Sequence, residues 1–260
     1  MDSLTALRLQ IEWGADEALD DAPVNRMVAR AKAPPPVVAV PSSIVAAPIG
    51  RAAEAVLSAA QRAKDVALAA QSLDALRAAL ATFDGCALSA TATSLVFSDG
   101  NPASGLMLVG EAPGAEEDRA GTPFVGPAGQ LLDRMLASVG LDRTGCVMTN
   151  VIPWRPPGNR NATDAEVAIC LPFLLRHIAL VRPRHLVLLG ALATQAVLGT
   201  KGGIARQRGR WMKATIPGLD EPVAVLPMLH PGFVQKNIGS KASAWADMIT
   251  LRRALDTGTK

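Results

Sequence analysis

Cysteine pairs, long apolar runs and an excess of charge of one sign are all missing from this 260-residue sequence. The three cysteines, Cys86, Cys146 and Cys170, are widely spaced and include no C-x-x-C pair. This pattern argues against a disulfide framework and is typical of a reducing compartment. No uncharged apolar stretch is long enough to cross a bilayer, and the first residues lack the basic start and apolar run of a secretory signal. We therefore expect a cytoplasmic protein that does not bind membranes.

The charge balance limits the possible partners. The chain has 26 Lys and Arg residues against 23 Asp and Glu residues, a formal net charge of +3. Any surface that binds nucleic acid must therefore be local rather than global. Neither a P-loop nor a G-x-G-x-x-G motif follows a predicted strand, which argues against a Rossmann-type nucleotide-binding domain.

The composition divides the chain into three parts. Residues 1–50 combine an acidic amphipathic helix with a proline-rich linker, which is either an undocked extension or an arm for a protein partner. Residues 51–82 form an alanine-rich helical lead-in. Residues 83–260 form the third part, an α/β domain that we expect to carry the function.

This third part alternates short apolar strands with amphipathic helices. Four central strands are predicted at residues 106–110, 146–152, 185–189 and 223–229, and a further strand at 93–97 precedes a turn at 99–102. Alternation of this kind indicates parallel strands with helices on both faces. The fold class is thus α/β, a three-layer α/β/α sandwich with a central, mainly parallel four-stranded sheet behind a helical and proline-rich extension.

Polar residues follow three of the central strands. Glu111 ends the first, Asn150 the second and His230 the fourth. The carboxyl ends of parallel strands lie on one rim, where open α/β sheets bind ligands. Taken singly, each residue has a structural interpretation: a glutamate exposed in a turn, an asparagine that caps a turn, or a buried structural histidine. Their convergence on one rim favours a functional site.

Five short motifs in order resemble those of the uracil-DNA glycosylase superfamily, and family 4 in particular. They are G-E-A-P-G at 110–114, G-T-P-F-V-G at 121–126, T-N-V at 149–151, R-P-P-G-N-R at 155–160 and H-P at 230–231. The resemblance covers roughly residues 83–255 and leaves the N-terminal third unmatched. Several motifs in order are far more specific than any one of them.

The resemblance implies an enzyme that turns uracil out of DNA and hydrolyses its glycosidic bond. Glu111 and His230 are the catalytic candidates, with Glu117 or Asp118 as a possible accessory acid. The predicted substrate-binding residues are Gly110, Ala112, Gly114, Phe124 and Asn150. Phe124 would stack on the base, and Asn150 would pair with its N3 and O4 atoms.

DNA contacts are expected from two regions. Five basic residues lie between positions 201 and 213 with no acid among them, a run that is either a solvated face or, together with the loop at 155–160, a phosphate-binding surface. In relatives, the segment after His230 enters the minor groove. The predicted DNA-binding residues are Arg155, Arg160, Arg206, Arg208, Arg210, Gly232 and Phe233.

The departures from family 4 concern the cofactor. Members of that family hold a [4Fe–4S] cluster on four cysteines. Cys86 and Cys170 match two of these positions, whereas Phe83 and Trp154 stand at the other two. We therefore expect no iron–sulfur cluster, no metal and no other cofactor, with apolar packing in its place.

Other departures concern the pocket. Ala112 stands where some members carry a catalytic acid or amide, and Gly232 stands where serine is usual. Gly114 leaves room near the C5 edge of the base, so the exclusion of thymine is unexplained. The main hypothesis is a monomeric uracil-DNA glycosylase that acts on uracil-containing DNA. The alternative is a DNA-binding or damaged-base-binding protein that keeps the pocket without turnover.

Overall fold

The computed structural model of the protein describes residues 49–200 and 202–257. The acidic helix and proline-rich linker predicted before residue 49 therefore lie outside the described residues. Within the described ranges, no helix is both long enough and apolar enough to span a membrane.

The centre of the fold is a six-stranded sheet. Its strands are β1 (Asp99–Gly100), β2 (Leu106–Gly110), β3 (Val147–Asn150), β4 (His185–Leu189), β5 (Met212–Ala214) and β6 (Val223–Met228). The order across the sheet is β1-β3-β2-β4-β6-β5. The four inner strands are parallel, as predicted, and β1 and β5 pair antiparallel at the two edges. The sequence predicted a sheet of four strands, and the structure has these two edge strands in addition.

Helices cover both faces of the sheet. In the described residues they are α1 (Ile49–Ala69), α2 (Leu73–Thr82), α3 (Leu88–Thr91), α4 (Ala115–Ala120), α5 (Pro127–Ala137), α6 (Asp164–Val181), α7 (Ala191–Leu198), α8 (Ile204–Gln207), α9 (Pro231–Lys236) and α10 (Lys241–Thr257). The predicted capping box of Thr163 and Glu166 begins α6, with Glu166 N–H 3.2 Å from the Thr163 hydroxyl.

Strand side chains alternate between two apolar clusters. Met107 and Val109 pack into one cluster with buried residues of α1, α2 and α6. Leu106 and Leu108 point the other way and join buried residues of α5 and α10. This alternation follows the two-residue period of a strand. It confirms the predicted three-layer α/β/α sandwich.

Residues 93–97 are not a strand, contrary to the sequence prediction, and the strand lies at Asp99–Gly100, where a turn was predicted. The carboxylate of Asp118 accepts hydrogen bonds from the backbone N–H groups of Thr93, at 2.8 Å, and Ser94, at 3.1 Å. A buried carboxylate thus takes the donors that a neighbouring strand would need, because buried N–H groups require a partner.

The sheet order places a crevice at the end of β2. This strand pairs with β3 on one side and β4 on the other. The connection after β2 leads to β3, whereas β4 pairs with β6 on its far side, so the connections after β2 and β4 lead in opposite directions. Ligands of open α/β sheets bind outside the carboxyl ends of the strands at such a switch point. Glu111 follows β2 directly, and Gly110 is the register partner of Asn150 on β3.

Candidate active site

Glu111 and His230 both lie close to Gly190, which follows β4. A Cβ atom added to Gly190 would lie 2.3 Å from Oε1 of Glu111 and 3.1 Å from Cβ of His230. Oε1 of Glu111 also accepts a hydrogen bond from the backbone N–H of Leu192, at 3.3 Å, in the first turn of α7. A helix N-terminus favours a carboxylate. The structure therefore brings the two predicted catalytic residues together.

Phe124 and Asn150 meet over Gly110. A Cβ on this glycine would lie 2.4 Å from Oδ1 of Asn150 and 2.5 Å from Cζ of Phe124. Both side chains are buried. The ring of Phe124 is also 6.3 Å from the ring of His230, centroid to centroid, with a tilt of 30°. Residues from three strand ends and one loop thus lie close together.

The hydrogen bonding of His230 defines its neutral tautomer. Its Nδ1 accepts a hydrogen bond from the backbone N–H of Gly232, at 3.1 Å. The proton of a neutral imidazole then resides on Nε2, which becomes a donor. Burial lowers the pKa of His230, and the charges of Glu111 and Glu117 oppose this effect. The side chain is therefore suited to donate a hydrogen bond from Nε2.

Glu117 joins the two loops of the site. Its buried carboxylate accepts hydrogen bonds from the backbone N–H of Gly114, at 3.0 Å, and of Gly126, at 2.8 Å. Oε2 of Glu117 would lie 2.8 Å from a Cβ on Gly114. The space that Gly114 leaves is thus filled by this carboxylate. The other accessory candidate, Asp118, binds the backbone at residues 93–94 instead.

Three residues of the site escaped the sequence analysis. Arg143 donates hydrogen bonds to the carbonyl groups of Pro123 and Phe124. A Cβ on Gly129 would lie 1.8 Å from the Phe124 carbonyl oxygen. A Cβ on Gly190 would meet both Glu111 and His230. No local signal marks Arg143, because its partners lie 19 and 20 positions away.

The arginines predicted to bind DNA fall into two groups. Two of them are paired with acids. Arg160 forms two hydrogen bonds with Glu166, at 2.9 and 2.7 Å, which lower the pKa of Glu166 to about 2. Arg208 binds Asp247, at 2.9 and 2.6 Å, and the Asp247 side chain is 1% exposed. The guanidinium of Arg208 therefore binds a buried carboxylate. The sequence interpretation of residues 201–213 as a solvated basic face did not predict this pairing.

The residues of the second group are exposed or half-buried. Arg206 and Arg210 are exposed and line an open cleft of about 680 Å³ beside α10. Arg155 is held by Asn159, at 2.7 Å from Nε to Oδ1. Phe233 is 50% exposed on α9, two residues after the start of that helix at Pro231. Gly232 supplies the N–H that His230 accepts.

The residues at the family 4 cluster positions do not form a cluster-binding set. Phe83 and Trp154 are buried, and Phe83 packs edge-on against Phe173 with ring centroids 5.0 Å apart. The thiols of Cys86 and Cys170 form a hydrogen bond, which lowers the pKa of Cys86 to about 7. Two thiols are half of the four that a cysteine-ligated [4Fe–4S] cluster requires. The donor set therefore does not fit such a cluster.

Cys146 cannot complete the set. It lies in the apolar cluster of α5 and α10, whereas Cys86 and Cys170 lie in the cluster on the opposite face of the sheet. Burial raises the pKa of Cys146 to about 12.

Comparisons with known proteins all indicate the same family. Residues 97–249 match the model of the Uracil DNA glycosylase superfamily. A Type-4 uracil-DNA glycosylase of Archaeoglobus fulgidus is 38% identical over 168 residues, which cover 63% of this chain and 83% of that protein. The Type-4 enzyme of Pyrobaculum aerophilum is 37% identical over 155 residues, which cover 58% and 78%. A Type-5 uracil-DNA glycosylase of the same organism is 32% identical over 170 residues, which cover 59% and 72%.

Proposed function

Because this chain belongs to the uracil-DNA glycosylase superfamily, we propose that it excises uracil from DNA and leaves an abasic site, the first step of base excision repair. Membership in the superfamily makes it a DNA glycosylase, a hydrolase of N-glycosyl bonds. The observation that carries the proposal is the convergence of Glu111, Phe124, Asn150 and His230 around the backbone of Gly110 and Gly190.

Recognition of uracil rests on Phe124 and Asn150. A base inside a duplex is inaccessible, so the nucleotide must be turned out of the helix and into the candidate active site. There the ring of Phe124 stacks on the base. The carbonyl of the Asn150 amide accepts from N3–H and its NH₂ group donates to O4. Cytosine presents the opposite pattern and would leave buried polar groups unpaired, which disfavours it strongly.

Exclusion of thymine is assigned to Glu117. The resemblance places Gly114 near the C5 edge of the base, and the Glu117 carboxylate fills the space beside this glycine. Two backbone hydrogen bonds fix the carboxylate, so it cannot move aside without loss of both. A 5-methyl group would meet it there.

Bond cleavage rests on His230 and Glu111. When the bond between C1′ and N1 breaks, its electron pair moves into the uracil ring and negative charge develops on O2. The Nε2–H group of neutral His230 donates a hydrogen bond to this oxygen, a preorganised form of stabilisation. Glu111 orients the water that adds to C1′ and opposes the positive charge on the sugar, as carboxylates do in other glycosidases.

Contact with the DNA strand is assigned to the half-buried Arg155 and to the exposed Arg206, Arg210 and Phe233. Arg155, Arg206 and Arg210 neutralise phosphates. Phe233 is the apolar wedge at the vacated base position, supported by its exposure at the start of α9.

We further propose that the enzyme works without an iron–sulfur cluster. The support is the donor set: Phe83 and Trp154 are buried in the same apolar cluster as the thiols of Cys86 and Cys170. Protein purified under anaerobic conditions should contain no stoichiometric iron and show no broad visible absorption. Stoichiometric iron with such absorption would overturn this part of the proposal.

The activity itself is tested with a uracil-containing oligonucleotide, followed by alkali to cleave abasic sites. The parent protein should yield the cleaved strand, and His230→Ala and Asn150→Ala should slow its formation by roughly a hundredfold or more. Variants as fast as the parent would contradict the site assignment. Tight binding of the oligonucleotide without any cleavage would favour the alternative of a damaged-base-binding protein.

A further inference from the structure

Phe124 has a backbone conformation that needs external support. Its φ angle is +57°, and only two other non-glycine residues in the described ranges, Asn159 and Arg182, have positive values. For a bulky side chain the left-handed region is unfavourable, and it persists where the surroundings determine it. The ring that faces Gly110 and Asn150 depends on this conformation, since the backbone sets the direction of the side chain.

One support is the guanidinium of Arg143. It donates to the carbonyl oxygen of Phe124 through NH2 and to that of Pro123 through NH1, the latter at 3.3 Å. Two acids fix the guanidinium in turn. NH1 lies 2.6 Å from Oδ2 of Asp99, on the edge strand β1, and Nε lies 3.0 Å from Oδ1 of Asp133, on α5. The planar fork of an arginine suits several acceptors in fixed directions, which a lysine cannot match.

The opposite support is α5. A Cβ on Gly129 would lie 1.8 Å from the Phe124 carbonyl oxygen. This carbonyl therefore lies close to the backbone of α5 and accepts a hydrogen bond from the guanidinium.

We propose that Arg143 is a positioning residue, which sets the backbone of Phe124 so that its ring meets the turned-out base. The proposal rests on the proposed function, because it assigns Arg143 a role in the reaction through Phe124. Its hydrogen bonds among the described residues are to the loop carbonyls, Asp99 and Asp133. We therefore expect it to act on the rate through the position of the aromatic ring.

A double-mutant cycle tests this transmission. We expect Arg143→Ala to lower kcat/KM for uracil excision by roughly ten- to a hundredfold, since small misplacements of positioning groups have effects of this size. In a Phe124→Ala background the same change should lower kcat/KM by less than about twofold, because no ring remains to be positioned. Equal losses in both backgrounds would overturn the proposal.

Arg176→Ala is the matched control. This arginine lies on α6 and also binds a backbone carbonyl, that of Ala70 at 2.8 Å. We expect it to change the melting temperature but not kcat/KM. If Arg143→Ala does not fold, Arg143→Lys replaces it in the cycle with the same expectations, because a lysine cannot span both carbonyls and both acids.

Hydrogen exchange separates this proposal from the proposed function. Amides of residues 121–126 should exchange faster in Arg143→Ala than in the parent, and remain unchanged in Arg176→Ala, whether or not the protein cleaves DNA. Faster exchange in Arg143→Ala together with a parent that lacks activity would reject the function and keep the support of the loop. Unchanged exchange in Arg143→Ala would reject the support while activity of the parent upholds the function.

Discussion

The backbone N–H of Gly232 donates to Nδ1 of His230, so the imidazole is held with its remaining proton on Nε2. This relationship and the lowered pKa of His230 act in the same direction. Burial disfavours the imidazolium, against the smaller opposing effects of Glu111 and Glu117. The neutral form, with its donor directed away from Gly232, is thus the form present near neutral pH.

A pH profile follows from this. A lowered pKa means that His230 becomes protonated only below its ordinary value of 6.5. Protonation places a hydrogen on Nδ1 and breaks the bond from Gly232. We expect the single-turnover rate to stay level from about pH 8 to about pH 6.5 and to fall below that. The measurement is rapid-quench excision across this range.

His230→Gln provides the control for this profile. It keeps an N–H donor but does not titrate, so it should be slower than the parent, faster than His230→Ala, and lack the acid limb. If the rate of the parent already falls above pH 6.5, and this fall is absent in His230→Gln, the claim that the pKa of His230 is lowered would be contradicted.

His177 predicts a different pH effect, on stability. Its ring stacks on Phe97 with centroids 4.6 Å apart, and its Nε2 has no hydrogen-bond partner among the described residues. Burial lowers its pKa from 6.5 to about 4. The unfolded chain therefore binds more protons between these values, and stability falls as the pH drops through that window, by up to about 3 kcal/mol.

Replacement of His177 by Phe tests this effect. The variant keeps a stacked ring and cannot titrate, so urea denaturation should show a smaller loss of stability between pH 6.5 and 4 than the parent shows. At pH 7.5 the two proteins should be similar, or the variant more stable, because an unpaired buried nitrogen has been removed. Parallel curves for the two proteins would disprove the assigned titration.

Gly190→Ala should impair the site rather than only the fold. The φ of Gly190 is +99° and its ψ is 177°, a region that side chains avoid, and a methyl group would collide with Oε1 of Glu111. We expect a fall in kcat of about tenfold or more, together with a lower melting temperature. Gly199→Ala is the comparison, because Gly199 also has a positive φ, +64°, but among the described residues no atom beyond its chain neighbours lies within 4 Å of the added Cβ. It should lower stability by about 1–2 kcal/mol and leave kcat unchanged.

Arg208 and Arg206 should have separate phenotypes although they are two positions apart. Arg208→Ala leaves the buried carboxylate of Asp247 without its partner, which should cost about 3–5 kcal/mol of stability. Arg206→Ala removes an exposed charge. It should leave the melting temperature unchanged and lower the dependence of DNA affinity on log salt by roughly one unit. Chemical denaturation and salt-titrated binding measure the two effects. A loss of affinity with Arg208→Ala at unchanged stability would reverse this assignment.

Local patterns were sufficient for most elements of the fold. The four inner strands are mostly apolar and end at or beside glycine or polar residues, and the capping box at Thr163 marks the start of α6. The edge strands were missed because they are two and three residues long and pair antiparallel. Such short segments carry no period of their own. The apparent strand at 93–97 failed because Asp118 binds its backbone, a partner that no local pattern reveals.

The sequence by itself determined the family, the order of the inner strands along the chain, and the chemistry available at Glu111, Asn150 and His230. It did so because strand periodicity, turn residues and ordered motifs are properties of neighbouring positions. Tertiary structure decided which charged groups serve the site and which serve the fold. Arg208 pairs with a carboxylate 39 positions away, and Arg143 reaches a carbonyl 19 positions away. Contacts of that length depend on how the helices pack against the sheet, and packing is set by the whole chain at once.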